Sequence, residues 1–395
     1  MSSRRNRKLK RRLKRIGKLF LSPTMAIILI VVFIIAIVLT VVKFSKITKE
    51  LTLLGEQAHV ERNTIITQLN EKYSKVQTTL AEYIPGIICW GDALTAGAGG
   101  NGNNYPKTLQ QCINDNIIHK YDPSLGLPGD YKYLVDLEEY KHNINVINMG
   151  VSGENSDTVL GRNGAIPFVL SDELIIPEGK IEVEIKFRSQ NGNSVGPLLQ
   201  GKSGMETVTI AGVEGVIVYN NKKGAYFFTR SSSGNSVVVP TGTEIVTSGS
   251  KTGKDYVTVI FIGNSDGDVD PAILVEKQNA IINAQKRNKE RYIIIGLHTG
   301  TSASRSDMEQ LMKSTYGNKY INLREYMSSQ ALEDAGISPS SEDKKRMALG
   351  QTPRSLLVDN IHFNSTGYAL LGNLVYERMD ELGYFKEIKS AMKIK

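Results

Sequence analysis

Residues 90–100 read Trp-Gly-Asp-Ala-Leu-Thr-Ala-Gly-Ala-Gly-Gly and directly follow an apolar run that begins at Ile84. A short apolar run that ends in a glycine-containing turn predicts a buried strand of an α/β sheet. Position 93 then lies at the carboxyl end of that strand, where such folds place ligands. About 270 residues later, Asp359-Asn360-Ile361-His362 brings a carboxylate within three residues of an imidazole, close enough to orient it.

Three blocks of sequence occur in an order typical of one group of enzymes. The first is Gly91-Asp92-Ala93-Leu94-Thr95, and the second is Asn148-Met149-Gly150-Val151-Ser152-Gly153. The last runs from Asp359 to His362 and continues Phe363-Asn364-Ser365-Thr366-Gly367-Tyr368. Together they resemble the SGNH, or GDSL-type, hydrolase family over most of residues 85–390. The resemblance implies a doubly wound, flavodoxin-like α/β fold with a mainly parallel sheet, and ester hydrolysis without a cofactor.

The resemblance also assigns the site residues. His362 is the expected general base, Asp359 holds its ring, and Ala93 occupies the position of the nucleophile. The backbone N–H groups of Ala93 and Gly153 and the side chain of Asn264 form the expected oxyanion hole.

The third block departs from the family pattern. It reads Gly263-Asn264-Ser265-Asp266 where the family has Gly-x-Asn-Asp, so Ser265 is the alternative occupant of the asparagine position. His59, His119 and His142 have no partners at ligand spacing, and no metal site is expected.

Alanine at position 93 predicts an inactive chain, because a methyl group can neither attack a carbonyl nor pass a proton to His362. Thr95 and Ser152 are the alternative hydroxyls, but both belong to the family blocks in other positions. Ala93 is either an engineered change or a feature of a natural degenerate copy. The function expected is that of an esterase scaffold acting on acylated, O-acetylated polysaccharide or a small ester. The alternatives are a non-catalytic glycan- or partner-binding protein, and a protein that transfers the acyl group.

The N-terminus predicts a membrane anchor. Residues 4–18 carry ten Lys or Arg and no acid, and an uncharged stretch from Leu19 to Val42 follows. This stretch is long enough to cross a hydrocarbon layer of ~30 Å, and it exceeds the roughly 7–15 apolar residues of a cleaved signal peptide. The basic residues place the N-terminus in the cytoplasm and the remainder outside, at a bacterial cell surface.

The net charge of +8 reflects this basic tail. Without its ten residues the chain has 38 basic and 40 acidic residues, so no nucleic-acid partner is expected. Residues 44–84 continue as a polar helix, interpreted either as a stalk that pairs weakly with a second copy or as a helix lying on the domain. Cys89 and Cys112 are expected to pack as small apolar residues, with a single bridge between them as the alternative.

Alternating strand and helix patterns predict the mainly parallel sheet. About a hundred residues between the second and third blocks differ, since they contain short strands between Gly, Asn and Ser turns, including the strictly alternating Lys180–Arg188. Five segments follow: a basic tail (1–18), a transmembrane helix (19–43), a stalk (44–84), an SGNH-like domain (85–162 and 255–395), and an inserted β-rich domain (163–254). The predicted strands of the main sheet are 87–90, 145–148, 256–262, 292–297 and 320–322, and the predicted helices are 105–116, 271–288 and 367–382.

Overall fold

The computed structural model describes residues 2–20, 22–127, 137–197 and 203–394. The chain divides into two compact units. The described residues of 1–71 and 126–135 form the first, and those of 72–125 and 136–395 form the second.

Two helices account for most of the first unit. Helix α1 spans Ser2–Phe20 and helix α2 spans Pro23–Tyr83, a single run of 61 residues whose last turns belong to the second unit. The Ser22 hydroxyl accepts a hydrogen bond from Met25 N at 3.2 Å, and Pro23 occupies the first helical position, so the sequence signals a helix start here rather than at residue 19. Among the described residues, one helix, α2, is long enough and apolar enough to cross a membrane. A membrane anchor and a signal sequence both have this property.

A five-stranded parallel sheet organises the second unit. Its strands, taken in chain order, are arranged 2-1-3-4-5, which is the order of doubly wound, flavodoxin-like sheets. The first and third strands are therefore neighbours at the point where the order reverses, and ligands of such folds bind outside that point. The five strands are β1 (Ile87–Gly91), β2 (Val146–Gly150), β12 (Val257–Phe261), β13 (Tyr292–Ile295) and β14 (Tyr320–Ile321).

Alternate residues of these strands face two separate cores, because successive side chains of a strand point to opposite faces. Ile87 and Cys89 enter one core, and Ile88 and Trp90 enter the other. The helices that cover the sheet are α3 (Ala93–Ala96), α4 (Tyr105–Ile113), α5 (Ser156–Asn163), α6 (Pro271–Asn283), α7 (Ser302–Tyr316), α8 (Leu323–Ser329), α9 (Ala331–Asp334), α10 (Ser341–Ala348), α11 (Ser365–Glu381) and α12 (Lys386–Met392).

The predicted helix ends are corrected at two places. The helix predicted over 105–116 is α-helical only to Ile113 and continues as a π-helical turn over Asn114–Ile118. The helix predicted over 271–288 starts at Pro271 as expected, capped by Asp270, but ends at Asn283.

Between β2 and β12 lies a seven-stranded antiparallel sheet with a two-stranded ribbon beside it. The single strand predicted over Lys180–Arg188 is wrong, because the chain breaks at Lys186 into two strands at opposite edges of this sheet. The two edges are thus one residue apart in sequence, and the sheet curves back on itself. The strands are β3 (Phe168–Leu170), β4 (Leu174–Ile176), β5 (Val183–Ile185), β6 (Phe187–Ser189), β7 (Val208–Ile210), β8 (Val213–Asn220), β9 (Ala225–Arg230), β10 (Val237–Val239) and β11 (Glu244–Thr247).

The insertion leaves and rejoins the parallel-sheet region at the end of α5. Thr247 Oγ1 donates a hydrogen bond to the carbonyl oxygen of Arg162 at 2.8 Å, and Lys254 Nζ donates to that of Asn163 at 2.8 Å. Both connections of the insertion are therefore held at one helix terminus.

The last turns of α2 pack into the core of the second unit. Val76, Leu80 and Ile84 are buried in the same core as Ile87. Tyr73 stacks on the buried ring of His142 with 4.5 Å between ring centroids. Residues just before 85 thus complete the core of the domain.

Both cysteines are free thiols, which excludes the alternative of a bridge. Cys89 is buried in β1, and burial raises the pKa of its thiol to about 12. Cys112 Sγ donates to Asn373 Oδ1 at 3.1 Å, a contact that ties α4 to α11.

Candidate active site

Asp359 and His362 form a hydrogen-bonded pair in a short loop. Leu357 and Phe363 form an antiparallel bridge at the base of this loop, and Val358 N donates to the carbonyl oxygen of His362 at 2.9 Å. The Asp359 Oδ1 atom accepts from the N–H groups of Ile361 at 2.8 Å and His362 at 2.7 Å. Its Oδ2 lies 2.7 Å from His362 Nδ1, and since a carboxylate only accepts, Nδ1 donates and Nε2 remains to take a proton.

This geometry favours the ionised carboxylate. The hydrogen bond with the His362 ring, and then the His362 backbone N–H, hold the pKa of Asp359 well below its usual range. Arg354 donates to the carbonyl oxygens of Asp359 and Val358 and so fixes the loop from the other side. Arg354 lies outside the three sequence blocks, so sequence reasoning missed it. Its position four and five residues before Val358 and Asp359 is compatible with these hydrogen bonds.

Ala93 lies at the first position of α3, immediately after β1, and is almost fully buried. Asp92 caps this helix by accepting from Leu94 N at 3.0 Å and so holds the loop. Burial raises the pKa of Asp92 to about 6, partly opposed by the hydrogen bonds from Leu94 N and Ser265.

The loop after Ala93 packs against the loop that carries the Asp359–His362 pair. Gly99 has a φ of +83°, and a Cβ built on it would lie 3.0 Å from the Cβ of His362. Tyr368 Oη donates to the carbonyl oxygen of Ala98 at 2.7 Å, and Ser365 Oγ donates to that of Gly100 at 2.7 Å. The loop that follows the first sequence block and the last block, distant along the chain, thus pack against each other.

The second block joins the first through its backbone. Asn148 Nδ2 donates to the carbonyl oxygen of Thr95 at 2.9 Å, and Val151 N donates to that of Gly91 at 3.2 Å. Gly153 lies in the turn beyond β2, with a φ of +85° and an exposed backbone. Its turn and Ala93 therefore lie at the carboxyl ends of adjacent strands.

In the third block, the two candidates for the asparagine position, Asn264 and Ser265, differ in their hydrogen bonds. Ser265 Oγ donates to Asp92 Oδ2 at 3.1 Å, so the serine is engaged with the first block. The carboxamide N and O atoms of Asn264 are both buried and have no hydrogen-bond partner among the described residues. Asp266 accepts from Ser156 N at 2.7 Å and pairs with Lys277 at 3.5 Å, and so holds these loops together.

An ion pair missed by sequence reasoning supports the Gly153 turn. The Glu154 carboxylate, directly after Gly153, accepts from Arg162 Nε at 2.6 Å, and both side chains are completely buried. Arg162 Nη1 also donates to the carbonyl oxygens of Met149 at 3.1 Å and Ser203, so the pair connects β2, α5 and the insertion. Their eight-residue separation across a turn gave no periodic signal.

The other sequence candidates lie outside this arrangement or serve packing. Thr95 is buried, with its hydroxyl 3.5 Å from Tyr105 Oη, whereas Ser152 is exposed in the turn. His298 is buried and bonded to Thr352 Oγ1 at 3.2 Å, and burial lowers its pKa to about 3. In the parts of the chain described above, no group of three or more His, Cys, Asp or Glu side chains is arranged to hold a metal ion.

No family model matches the chain. A search of curated proteins finds no match either. Among solved structures, the chain is similar to one described as "Peptidoglycan O-acetylesterase in action, 5 min", with 12% sequence identity and a TM-score of 0.30 over 82% of this chain and 96% of that chain.

Proposed function

We propose that this chain is a membrane-anchored, extracellular protein built on an SGNH-type esterase scaffold directed at acylated, O-acetylated cell-envelope or other polysaccharide. The observation that carries the proposal is the hydrogen bond between Asp359 and His362, in a loop packed against the turn that follows Ala93. A carboxylate that fixes the tautomer of an imidazole, beside a strand-end turn, is the arrangement that activates a serine nucleophile.

In a form with serine at position 93, the hydroxyl would attack the ester carbonyl while His362 removes its proton and later returns it to the leaving group. Asp359 would stabilise the imidazolium that forms. The N–H groups at positions 93 and 153, with Asn264 Nδ2, would stabilise the oxyanion. With alanine, only a residual ~10³–10⁴-fold advantage over water from binding and oxyanion contacts is expected.

The insertion supports the choice of a polymeric substrate. Asn193 Nδ2 donates to Asp157 Oδ1 at 3.1 Å, and Gly196 N donates to Thr158 Oγ1 at 3.1 Å. These contacts attach the insertion to α5, which begins three residues after Gly153, so the insertion borders the proposed oxyanion turn. We assign residues 163–254 as the element that helps select the polysaccharide.

The localisation follows from the N-terminal charge pattern. The ten basic residues before the apolar part of α2 favour a cytoplasmic N-terminus and an uncleaved, single-pass anchor. The part of α2 between the anchor and the folded domain presents exposed apolar side chains, such as Leu51 and Leu54, through which two copies could associate weakly.

A second function, glycan or partner binding without catalysis, is favoured by one observation. Ala93 removes the nucleophile while the pairing of Asp359 with His362 is intact. A site of this kind would bind an acylated polymer without turning it over.

The deciding experiment compares the full chain in detergent with its Ala93→Ser variant, using p-nitrophenyl acetate and acetylated glycans and measuring acetate release. The full chain is required because Val76, Leu80 and Ile84 belong to the core. Hydrolysis that appears with serine and disappears in Ala93→Ser/His362→Ala supports the esterase scaffold. Absence of hydrolysis with retained glycan binding supports the binding protein, and acetate delivered to a glycan acceptor instead of water identifies a transferase.

A further inference from the structure

A cavity of about 190 Å³ lies beside the Asp359–His362 loop. Asn360, between the two members of the pair, lines it, together with Arg346, Gln351, Thr352 and Thr299. The volume is below the roughly 300–1,000 Å³ of pockets that hold drug-sized ligands. The cavity is therefore of a size for one sugar residue or one substituent group.

The charge of this cavity is positive. Arg346 Nε donates to the carbonyl oxygen of Thr352 at 2.7 Å, which fixes the plane of the guanidinium and leaves its two terminal amino groups outside that bond. Among the described residues, Arg346 forms no ion pair, and no Asp or Glu lines the cavity.

A second cation, Arg305, adds to the positive charge near the cavity. Arg305 donates to the carbonyl oxygen of Thr299 at 3.0 Å and to Thr299 Oγ1 at 3.3 Å. The charges of Arg346 and Arg305 both disfavour protonation of His298, which also lines the cavity. The nearest carboxylate of the loop, Asp359, already accepts from Ile361 and His362.

We infer that this cavity binds a carboxylate carried by the polysaccharide next to the acylated sugar, so that the preferred substrate is an acidic glycan. The inference rests on the polysaccharide-directed function proposed above. A guanidinium fork matches the two oxygens of a carboxylate, and Arg346 supplies the opposite charge. The side-chain amides of Gln351 and Asn360 supply donors for the hydroxyl and ring oxygens of the sugar.

The test measures binding without catalysis, in the full chain with Ala93. Calorimetric titrations compare a galacturonic acid trimer with the same trimer methyl-esterified at its carboxyl groups. The acidic trimer is expected to bind at least about tenfold more tightly, and Arg346→Gln is expected to abolish that difference without changing affinity for the neutral trimer. The variant Arg346→Lys keeps the positive charge but loses the two parallel N–H donors of the guanidinium. It should retain only part of the difference in affinity between the two trimers.

Lys344→Gln is the matched control, because it removes the same charge from an exposed position of the same helix. It should leave both affinities within about twofold. Equal binding of both trimers, unchanged binding in Arg346→Gln at an unchanged melting temperature, or equally tight binding of inorganic phosphate would each overturn the inference. An inactive Ala93→Ser variant would defeat the esterase proposal alone, because these titrations do not depend on turnover.

Discussion

The hydroxyl of Ser265 donates to the carboxylate of Asp92, and this bond joins the turns that follow two neighbouring strands, β12 and β1. It lies at the point where the strand order of the parallel sheet reverses. Because the bond engages Ser265 with the first block, Asn264 is the residue of the third block whose carboxamide has no internal partner.

Asn264→Ala, in the Ala93→Ser background, is therefore expected to lower kcat about 100- to 1,000-fold with little change in KM, since the lost donor acts mainly in the transition state. Steady-state kinetics with p-nitrophenyl acetate measure this. Ser265→Ala is the matched control and should cost less than tenfold. The reverse ranking would place Ser265 in the oxyanion hole.

Asp359→Asn in the same background is expected to reduce kcat about 10⁴-fold, because an amide can stabilise the wrong tautomer of His362. The pair's geometry would be preserved, so KM should change little. Asp268→Asn, on an exposed loop, is the control. Full activity in Asp359→Asn would mean that His362 needs no carboxylate and that the pair is structural.

Breaking the buried Glu154–Arg162 pair should destabilise the domain. Glu154→Gln and Arg162→Met are each expected to lower the free energy of unfolding by about 3–5 kcal/mol, because each removes the ion-pair partner of a buried charge. Urea unfolding followed by circular dichroism measures it.

The double variant, Glu154→Gln with Arg162→Met, should lose less unfolding free energy than the sum of the two single variants, since neither buried charge remains. Glu381→Gln, which breaks the surface pair with Arg378, should cost less than about 1 kcal/mol. Additive losses in the double variant would contradict the coupling.

His142→Phe should remove an acid sensitivity. Burial lowers the pKa of His142 to about 4, so between pH 6.5 and 4 the unfolded chain takes up a proton that the folded chain does not, and stability falls as the pH falls. Phenylalanine keeps the stacking with Tyr73. The unfolding free energy of the variant relative to the parent should rise by roughly 2–3 kcal/mol from pH 7 to pH 4.5.

Thermal unfolding at a series of pH values measures the effect. His119→Phe is the control, because the His119 side chain is exposed. The raised pKa of Asp92 acts with the opposite sign in the same window, but it is common to parent and variant and cancels in the difference. A constant difference across pH would show that the pKa of His142 is the same in the folded and unfolded chains.

The parallel sheet was predictable because most of its strands contain consecutive apolar residues followed by turn residues, as in Ile293–Ile295. Asp359 and His362 were predictable because they are close in sequence. Arg162, Arg346 and Arg354 were not, since their partners are backbone carbonyls or residues brought together only by the fold. The strand break at Lys186 was hidden, because an alternating pattern does not show which strand each half pairs with.

The two hydrogen bonds at the end of α5, from Thr247 and Lys254, have an evolutionary consequence. They hold the two ends of the insertion close together at one point of the parallel-sheet domain. The insertion could therefore be replaced by another module, or reduced to a short linker, without disturbing the parallel sheet. Recognition of the polymer and chemistry on it would then be free to diversify separately.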